Sequence, residues 1–320
     1  MRERPSVALA EVVRSGFVEG IHRGSLVVLD TDGTVLQALG DVESPVFPRS
    51  SNKPMQAAGL VELGYAGRGA HLAIAAASHW GEPHHLVAVR EILAAAGLTE
   101  ADLRTPPDWP LGDDAREGLV RTGGRAAPIL MNCSGKHAAM LATCVVQGWS
   151  LQDYRDAEHP LQRHLTVTIE RISGESAQPV GIDGCGAPVV AMSLTALARS
   201  FARCVSADPG SPERLVADAM RAHPAYVGGH GHDATAFMGG VPGLLVKDGA
   251  EGVYAAALAD GRSVALKVDD GSTRARPLLL AAVLRALGLD APVLDDYSEL
   301  TLLGGGEPVG AVRVAPGLFA

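Results

Sequence analysis

Arg49-Ser50-Ser51-Asn52-Lys53-Pro54 holds the only Ser-x-x-Lys in a chain of 320 residues. A serine at a helix start places a lysine three residues on about one turn later, on the same face. An amine within reach of a hydroxyl can make serine nucleophilic without histidine. The lysine must first lose its proton, which desolvation and neighbouring cations favour. An N-capping serine followed by a solvated lysine would satisfy the same tetrapeptide, so its meaning depends on the segments that accompany it.

Four segments carry polar residues in turn-like settings. Ala77-Ser78-His79-Trp80-Gly81-Glu82-Pro83 follows the apolar run Leu72 to Ala77. This predicts a buried strand ending in a glycine turn, a place for a catalytic hydroxyl or for the N-cap of a helix near Pro83. Met131-Asn132-Cys133-Ser134-Gly135-Lys136-His137 opens a helix, and Gly181-Ile182-Asp183-Gly184-Cys185-Gly186 is a glycine-rich turn. The thiols of Cys133 and Cys185 would supply half of a structural zinc site, with Lys136, His137 or Asp183 as candidates to complete it. Leu244-Leu245-Val246-Lys247-Asp248-Gly249 sends a lysine out of an apolar strand into a turn, and Gly229-His230-Gly231-His232-Asp233 has the spacing of a His-x-His metal pair. Cys144 and Cys204 lie in apolar helical stretches and read as small buried hydrophobes.

The elements that must position these groups fall into a pattern. Ser25–Asp30 and Thr34–Leu39 flank the turn Thr31-Asp32-Gly33, predicting a hairpin; a second is predicted from 252–257 and 263–268 around Asp260-Gly261, and 310–315 reads as another strand. Apolar residues recur at three and four over 53–63, 84–96, 136–147, 160–172, 191–204, 211–222 and 275–287, which predicts helices. Ser211-Pro212 starts one of them and Gly288 ends another. Strands at both ends with helices between them predict an α+β fold, an antiparallel sheet with a helical subdomain. No linker composition divides the chain, so 1–320 reads as a single catalytic domain.

Composition narrows the function. Apolar residues make up 47% and charged residues 20%, which is a globular balance. A formal charge of −9 with scattered Lys and Arg argues against nucleic acid. Met1-Arg2-Glu3-Arg4-Pro5-Ser6 leads into no apolar signal segment, and there is no apolar run of membrane-spanning length. The expectation is a cytoplasmic protein with no membrane partner, in which structural disulfides are not expected. The fingerprints of dinucleotide and phosphate loops are missing.

Together, Arg49 to Pro54, Ala77-Ser78-His79, Asn132 to His137, Asp183-Gly184-Cys185 and Lys247-Asp248-Gly249-Ala250 closely resemble the rhizobial-type (class 3) L-asparaginases, the asparaginase II family, in the family's order and from about residue 10 onward. The resemblance implies a β-lactamase-like α+β fold, a homodimer, and hydrolysis of L-asparagine to L-aspartate and ammonia. It implies two Ser-Lys pairs, Ser50 with Lys53 and Ser78 with Lys247. It further implies a metal, zinc, on Cys133, Lys136 and Cys185, and active-site roles for Arg49, His137 and Asp183. A lysine ligand must lose its proton, which a metal makes possible. Asn52 and Trp80 depart from the family's residues at their positions and bear on the pocket.

The chemistry expected is amide hydrolysis through an acyl-enzyme. Ser50 is favoured as nucleophile, with Lys53 or Lys247 as base and Arg49 and Asp183 receiving the α-carboxylate and α-amino groups. A glutaminase differs by one methylene and is not separable from sequence. A penicillin-recognising enzyme is disfavoured, because the intervening Ser-x-Asn is missing. A non-enzymatic zinc-binding protein of the same fold would have no need of the Ser-Lys pairs.

Overall fold

The computed structural model describes residues 5–176 and 179–319; the sequence reading of Met1 to Arg4 lies outside them. In chain order the strands are β1 (Val7–Arg14), β2 (Phe17–Leu29), β3 (Val35–Leu39), β4 (Val180–Ile182), β5 (Pro188–Val190), β6 (Leu245–Asp248), β7 (Val253–Ala257), β8 (Ser263–Val268), β9 (Glu299–Gly304) and β10 (Glu307–Val314). The first helices are α1 (Lys53–Glu62), α2 (Ala70–Ala75), α3 (Pro83–Ala95), α4 (Asp113–Arg121), α5 (Ser134–Gln147) and α6 (Pro160–Ser173). There follow α7 (Leu194–Ser206), α8 (Pro212–Ala222), α9 (Pro224–Val227), α10 (Asp233–Gly240), α11 (Arg276–Ala286) and α12 (Val293–Asp296).

These residues form two compact units. The first comprises the chain up to Ser51, Met192–Ala202, and the chain from Ala236 onward. It contains an eight-stranded sheet in the order β6-β7-β8-β2-β1-β10-β9, with β3 on β2. All its pairings are antiparallel. Val12 faces Val312 where the N- and C-terminal segments meet, and Leu26 faces Leu266 between β2 and β8. This is the α+β arrangement expected, assembled from both chain ends. Ser25 to Leu29 of β2 are buried without alternation, as suits a strand covered on both faces. α11 packs against β8 and β10. Its Leu278, Leu279, Leu280, Val283 and Leu284 are buried, and each leucine contributes about 1.5–3 kcal/mol relative to exposure.

Both predicted hairpins form. The Asp30 N–H donates to Thr34 O at 2.8 Å, and the Leu258 N–H to Arg262 O at 2.8 Å. β1, β9 and the small β4–β5 hairpin have no counterpart in the sequence reading.

The second unit, Asn52–Ala191 with Arg203–Thr235, is helical apart from β4 and β5. α1 packs on α6 and α8, α2 on α5 and α8, and α3 on α5. One expectation is corrected here. The segment before Ser78, read as a buried strand, is α2. A short apolar run carries no periodicity to separate strand from buried helix, and the alanines of 70–77 favour the helix. Among the described residues, no helix is long and apolar enough to cross a membrane.

The β6–β7 turn fixes the end of β6. The Gly249 N–H donates to Val253 O at 2.9 Å, and the buried Arg276 guanidinium donates to Gly249 O at 2.6 Å. A side chain at Gly249 would bring its Cβ within 2.4 Å of Pro48 O and 2.9 Å of Ser51 Oγ. Gly249→Ala is therefore expected to lower unfolding stability by about 1–3 kcal/mol, the range for overpacking a fitted site. An unchanged denaturation midpoint would contradict that packing.

Candidate active site

Lys53 is the first residue of α1, and its side chain has no exposed surface. A buried ammonium or amine must find acceptors, since leaving it bare costs several kcal/mol. Nζ donates to the carbonyl of Ala77 and, at 2.9 Å, to Ser78 Oγ. Both acceptors lie just beyond α2. The Ser78 N–H donates to Val227 O at 3.1 Å and the Trp80 N–H to Gly228 O at 2.8 Å, so the loop after α9 backs this segment. His79 is buried beside it. Its Nδ1 accepts the Gly81 N–H at 3.2 Å, which leaves the proton on Nε2, 2.8 Å from Ser134 Oγ. Burial first, then the charges of His85 and Lys53, hold its pKa well below the ordinary histidine value.

The second cluster lies where α5 begins and the β4–β5 hairpin turns. Lys136 Nζ donates to Cys185 Sγ at 3.3 Å. Cys133 and Cys185 are buried with Met131 and Ala187. The Cys133 thiol is pushed up by its hydrogen bond to Cys185 and by burial. That hydrogen bond lowers the Cys185 thiol; burial opposes it, and Lys136 and His137 add to the lowering. Burial alone would lower Lys136, but Cys185, Cys133 and Asp183 outweigh it and raise its pKa. The two sulfurs and the Lys136 amine thus share one buried place, where the shifts favour negative charge on Cys185 and positive charge on Lys136. Asp183 is held by its turn: its carbonyl takes the Gly186 N–H at 2.8 Å, and Oδ1 takes the Gly184 N–H at 2.9 Å. His137 is fully buried, with Nδ1 2.6 Å from Tyr154 Oη. Burial raises the Tyr154 pKa, so the phenol donates and the imidazole proton stays on Nε2. Through that Nε2, His137 supplies the hydrogen bond that helps lower Cys185.

The donor set fits a zinc-class ion. Two sulfurs and one amine converge from two elements, and a cation already occupies the place as Lys136. Binding would expel the protons of Cys133 and Lys136.

Arg49 to Asn52 form a 3-10 turn leading into α1, with Arg49 at φ 52°. Such a backbone is strained for a residue with a side chain, a condition that concentrates at functional sites. Ser51 Oγ donates to Lys247 O at 3.1 Å, which ties this turn to β6. Arg49 lies 3.8 Å from the Glu251 carboxylate, and Ser50 is half-buried. Lys247 lies within β6 rather than beyond it, fully buried, its Nζ donating to Asp248 O at 2.9 Å and pairing with the Asp248 carboxylate.

The four Ser-Lys residues therefore fall as Ser50 and Lys247 in the first unit and Lys53 with Ser78 in the second. The pair that meets within a unit is Lys53–Ser78. Cys133, Lys136, Cys185, His137 and Asp183 share the second unit, and Arg49 sits in the first. The His-x-His pair does not form. His230 is exposed, while His232 is buried on the Ala234 N–H and near Trp80, because Gly231 at φ 82° turns the chain between them. Burial pushes Cys144 and Cys204 each up to about 12, as inert buried thiols.

Ser51, Tyr154 and Asp248, which hold these groups, were not singled out in the sequence. A usable signal was present. The chain has only four lysines, and Lys53, Lys136 and Lys247 are among its largest fully buried side chains. Lysine is almost never fully buried unless paired.

A sequence profile of the L-asparaginase II family matches residues 10–314, nearly the whole chain. No curated protein matches in sequence. Among solved structures, a β-lactamase from Mycobacterium bovis aligns over 83% of this chain and 95% of its own, at 14% identity and TM-score 0.47. A Bacillus glutaminase crystallised in 4.3 M NaCl aligns over 83% and 91%, at 13% identity and TM-score 0.46.

His79 gives a pH dependence. Unfolded, it titrates near 6.5; folded, well below. The unfolded chain therefore binds the extra proton, and the stability His79 supplies is complete above pH 6.5 and is lost as pH falls toward the folded value. Its share of the slope is at most about 1.4 kcal/mol per pH unit. His79→Gln should flatten the fall in denaturation midpoint between neutral and mildly acidic pH; an identical pH profile in both proteins would refute a neutral buried imidazole.

Proposed function

We propose that this chain, which belongs to the L-asparaginase II family, hydrolyses the side-chain amide of L-asparagine to L-aspartate and ammonia by serine-lysine catalysis. Family and substrate class are those of an amidohydrolase acting on a small molecule. The observation that supports the mechanism most is the buried Lys53 amine at 2.9 Å from Ser78 Oγ. A surface lysine would have no use for such a partner.

Ser50 is the nucleophile. It is half-buried, whereas Ser78 is 4% exposed and engaged by Lys53. It also stands in the turn that opens α1, where the positive end of the helix favours a developing oxyanion. Lys53, three residues along the chain, accepts the Ser50 proton as Oγ attacks the amide carbon. The tetrahedral adduct collapses with cleavage of the C–N bond, and Ser78, hydrogen-bonded to Lys53, relays the proton to the departing ammonia. Water then attacks the acyl-enzyme by the reverse proton path, releasing aspartate and restoring Ser50. Lys247, paired with Asp248, supplies positive charge at the end of β6.

Arg49 receives the α-carboxylate and Asp183 the α-amino group. Asn52 Nδ2 and Gln56 Oε1, which are buried without partners among the described residues, are polar groups that a bound amino acid would complete. Cys133, Lys136 and Cys185 would hold zinc, which would supply a fixed positive charge beside the α5 turn and the β4–β5 hairpin. A homodimer accompanies this reading; the exposed Phe17, Ile21 and Leu303 of β2 and β9 offer apolar surface for it.

Ammonia release from L-asparagine and L-glutamine, measured in parallel, tests the function. Asparagine turnover in the wild type, with a fall of about a hundredfold or more in Ser50→Ala and in Lys53→Met at unchanged circular dichroism, is expected. Full activity in Ser50→Ala would reject Ser50 as nucleophile. For the metal, Cys133→Ala is expected to lose bound zinc on elemental analysis and to raise KM more than it lowers kcat. A wild-type protein that binds no zinc and keeps full activity in EDTA would reject that set.

A further inference from the structure

The start of α3 carries a second group of donors that the amidase reading does not use. We propose that Glu82, His84 and His230 bind a divalent transition-metal ion of the zinc class, at a site separate from Cys133, Lys136 and Cys185. Their ligand atoms all lie within 4.8 Å of one another. Glu82 Oε2 stands 2.5 Å from His230 Nδ1 and 3.6 Å from His84 Nδ1. Tetrahedral zinc with bonds of about 2.0–2.1 Å spaces its donors roughly 3.3 Å apart. The two contacts straddle that value, so binding requires a small opening of one, a closing of the other, and loss of the proton that His230 Nδ1 donates to Glu82.

The supporting contacts are those of a ligand set. His84 Nε2 lies 3.4 Å from Ala225 O, which also takes His85 Nε2 at 2.8 Å, and the ring so placed turns Nδ1 toward Glu82. Glu82 Oε1 accepts the backbone N–H of His230 at 2.7 Å, which orients the carboxylate. Ligating imidazoles and carboxylates are characteristically held this way through their second atoms. The His84 and His230 rings stand 5.4 Å apart at 75°. The His230 side chain is 78% exposed, which gives an ion access. Glu82 and His230 also border a cavity of about 930 Å³ lined in part by Trp80, Leu86 and Leu111. Two imidazoles and one carboxylate suit zinc, cobalt or nickel rather than magnesium or calcium, and three ligands leave a position for water. His230 alone of the His-x-His motif contributes.

The ion would act as a staple. A Cβ at Gly229 would lie 2.5 Å from Glu82 Oε1 and 2.9 Å from Trp80 Cβ, so the loop already lies flat on this segment. The same loop takes the Ser78 and Trp80 N–H groups through Val227 O and Gly228 O. Joining His230 to Glu82 and His84 fixes the backbone that carries Ser78. That last consequence rests on the function proposed above; the binding itself does not.

Metal-stripped full-length protein titrated with Co(II) tests the site. Two spectroscopically distinct events are expected, one with thiolate-to-cobalt charge-transfer absorption and one with ligand-field bands alone. His230→Ala and His84→Ala should each weaken the thiolate-free event by about tenfold or more, a loss of a direct ligand costing at least as much as loss of an outer contact, and leave the thiolate band intact. Amide hydrogen exchange at 78–84 and 227–232 should slow on adding zinc to the wild type and not to His230→Ala, a surface variant expected to fold. A titration identical in wild type and His230→Ala, or no thiolate-free event, would overturn the proposal. Loss of the thiolate band alone would count against the cysteine set and leave this site standing.

Discussion

A lysine amine buried inside a helical unit has to be answered by acceptors, and the second unit is arranged around that requirement at Lys53. The carbonyl of Ala77 and the hydroxyl of Ser78 answer it. Their positions follow from the end of α2, which packs between α5 and α8, and from the loop after α9, which takes the Ser78 and Trp80 amides. Removing the acceptors would leave an uncompensated polar group at a cost of several kcal/mol. The stability of this part of the fold and the proposed catalysis therefore rest on the same bonds.

Lys136 repeats the theme with softer partners. Its ammonium, the Cys133 thiol and the Cys185 sulfur occupy one buried place, steadied by His137 and Tyr154. Charge there is balanced by protons shared between the two sulfurs and the amine. In the first unit Lys247 is answered by its own neighbour, Asp248, at the end of a strand that Ser51 and Arg276 hold by their contacts at Lys247 O and Gly249 O. The three buried lysines are met by three different sets of partners.

Much of this was legible in the sequence. Thr31-Asp32-Gly33 and Asp260-Gly261 carry turn chemistry strong enough to specify hairpins locally, and the long amphipathic helices announce themselves by period. The order of the polar segments carried the family. What failed was what depends on distant packing. Leu72 to Ala77 has no periodicity of its own, and its first part, to Ala75, is helical because α5 and α8 enclose it. β1 and β9 are strands through pairing with each other's neighbours, at the two ends of the chain. Tyr154 lies in an unremarkable loop and gains meaning only because His137 is fixed opposite it. His230 and His232 look equivalent in sequence, and only the Gly231 turn separates their surroundings.

The central claim is that a serine in the Ser-x-x-Lys turn carries the acyl group. Acid quenching of the protein during turnover of L-asparagine, followed by peptide mapping by mass spectrometry, reads this directly. The account predicts an aspartyl ester on the peptide containing Ser50. An ester on the peptide containing Ser78, with the Ser50 peptide unmodified, would contradict it.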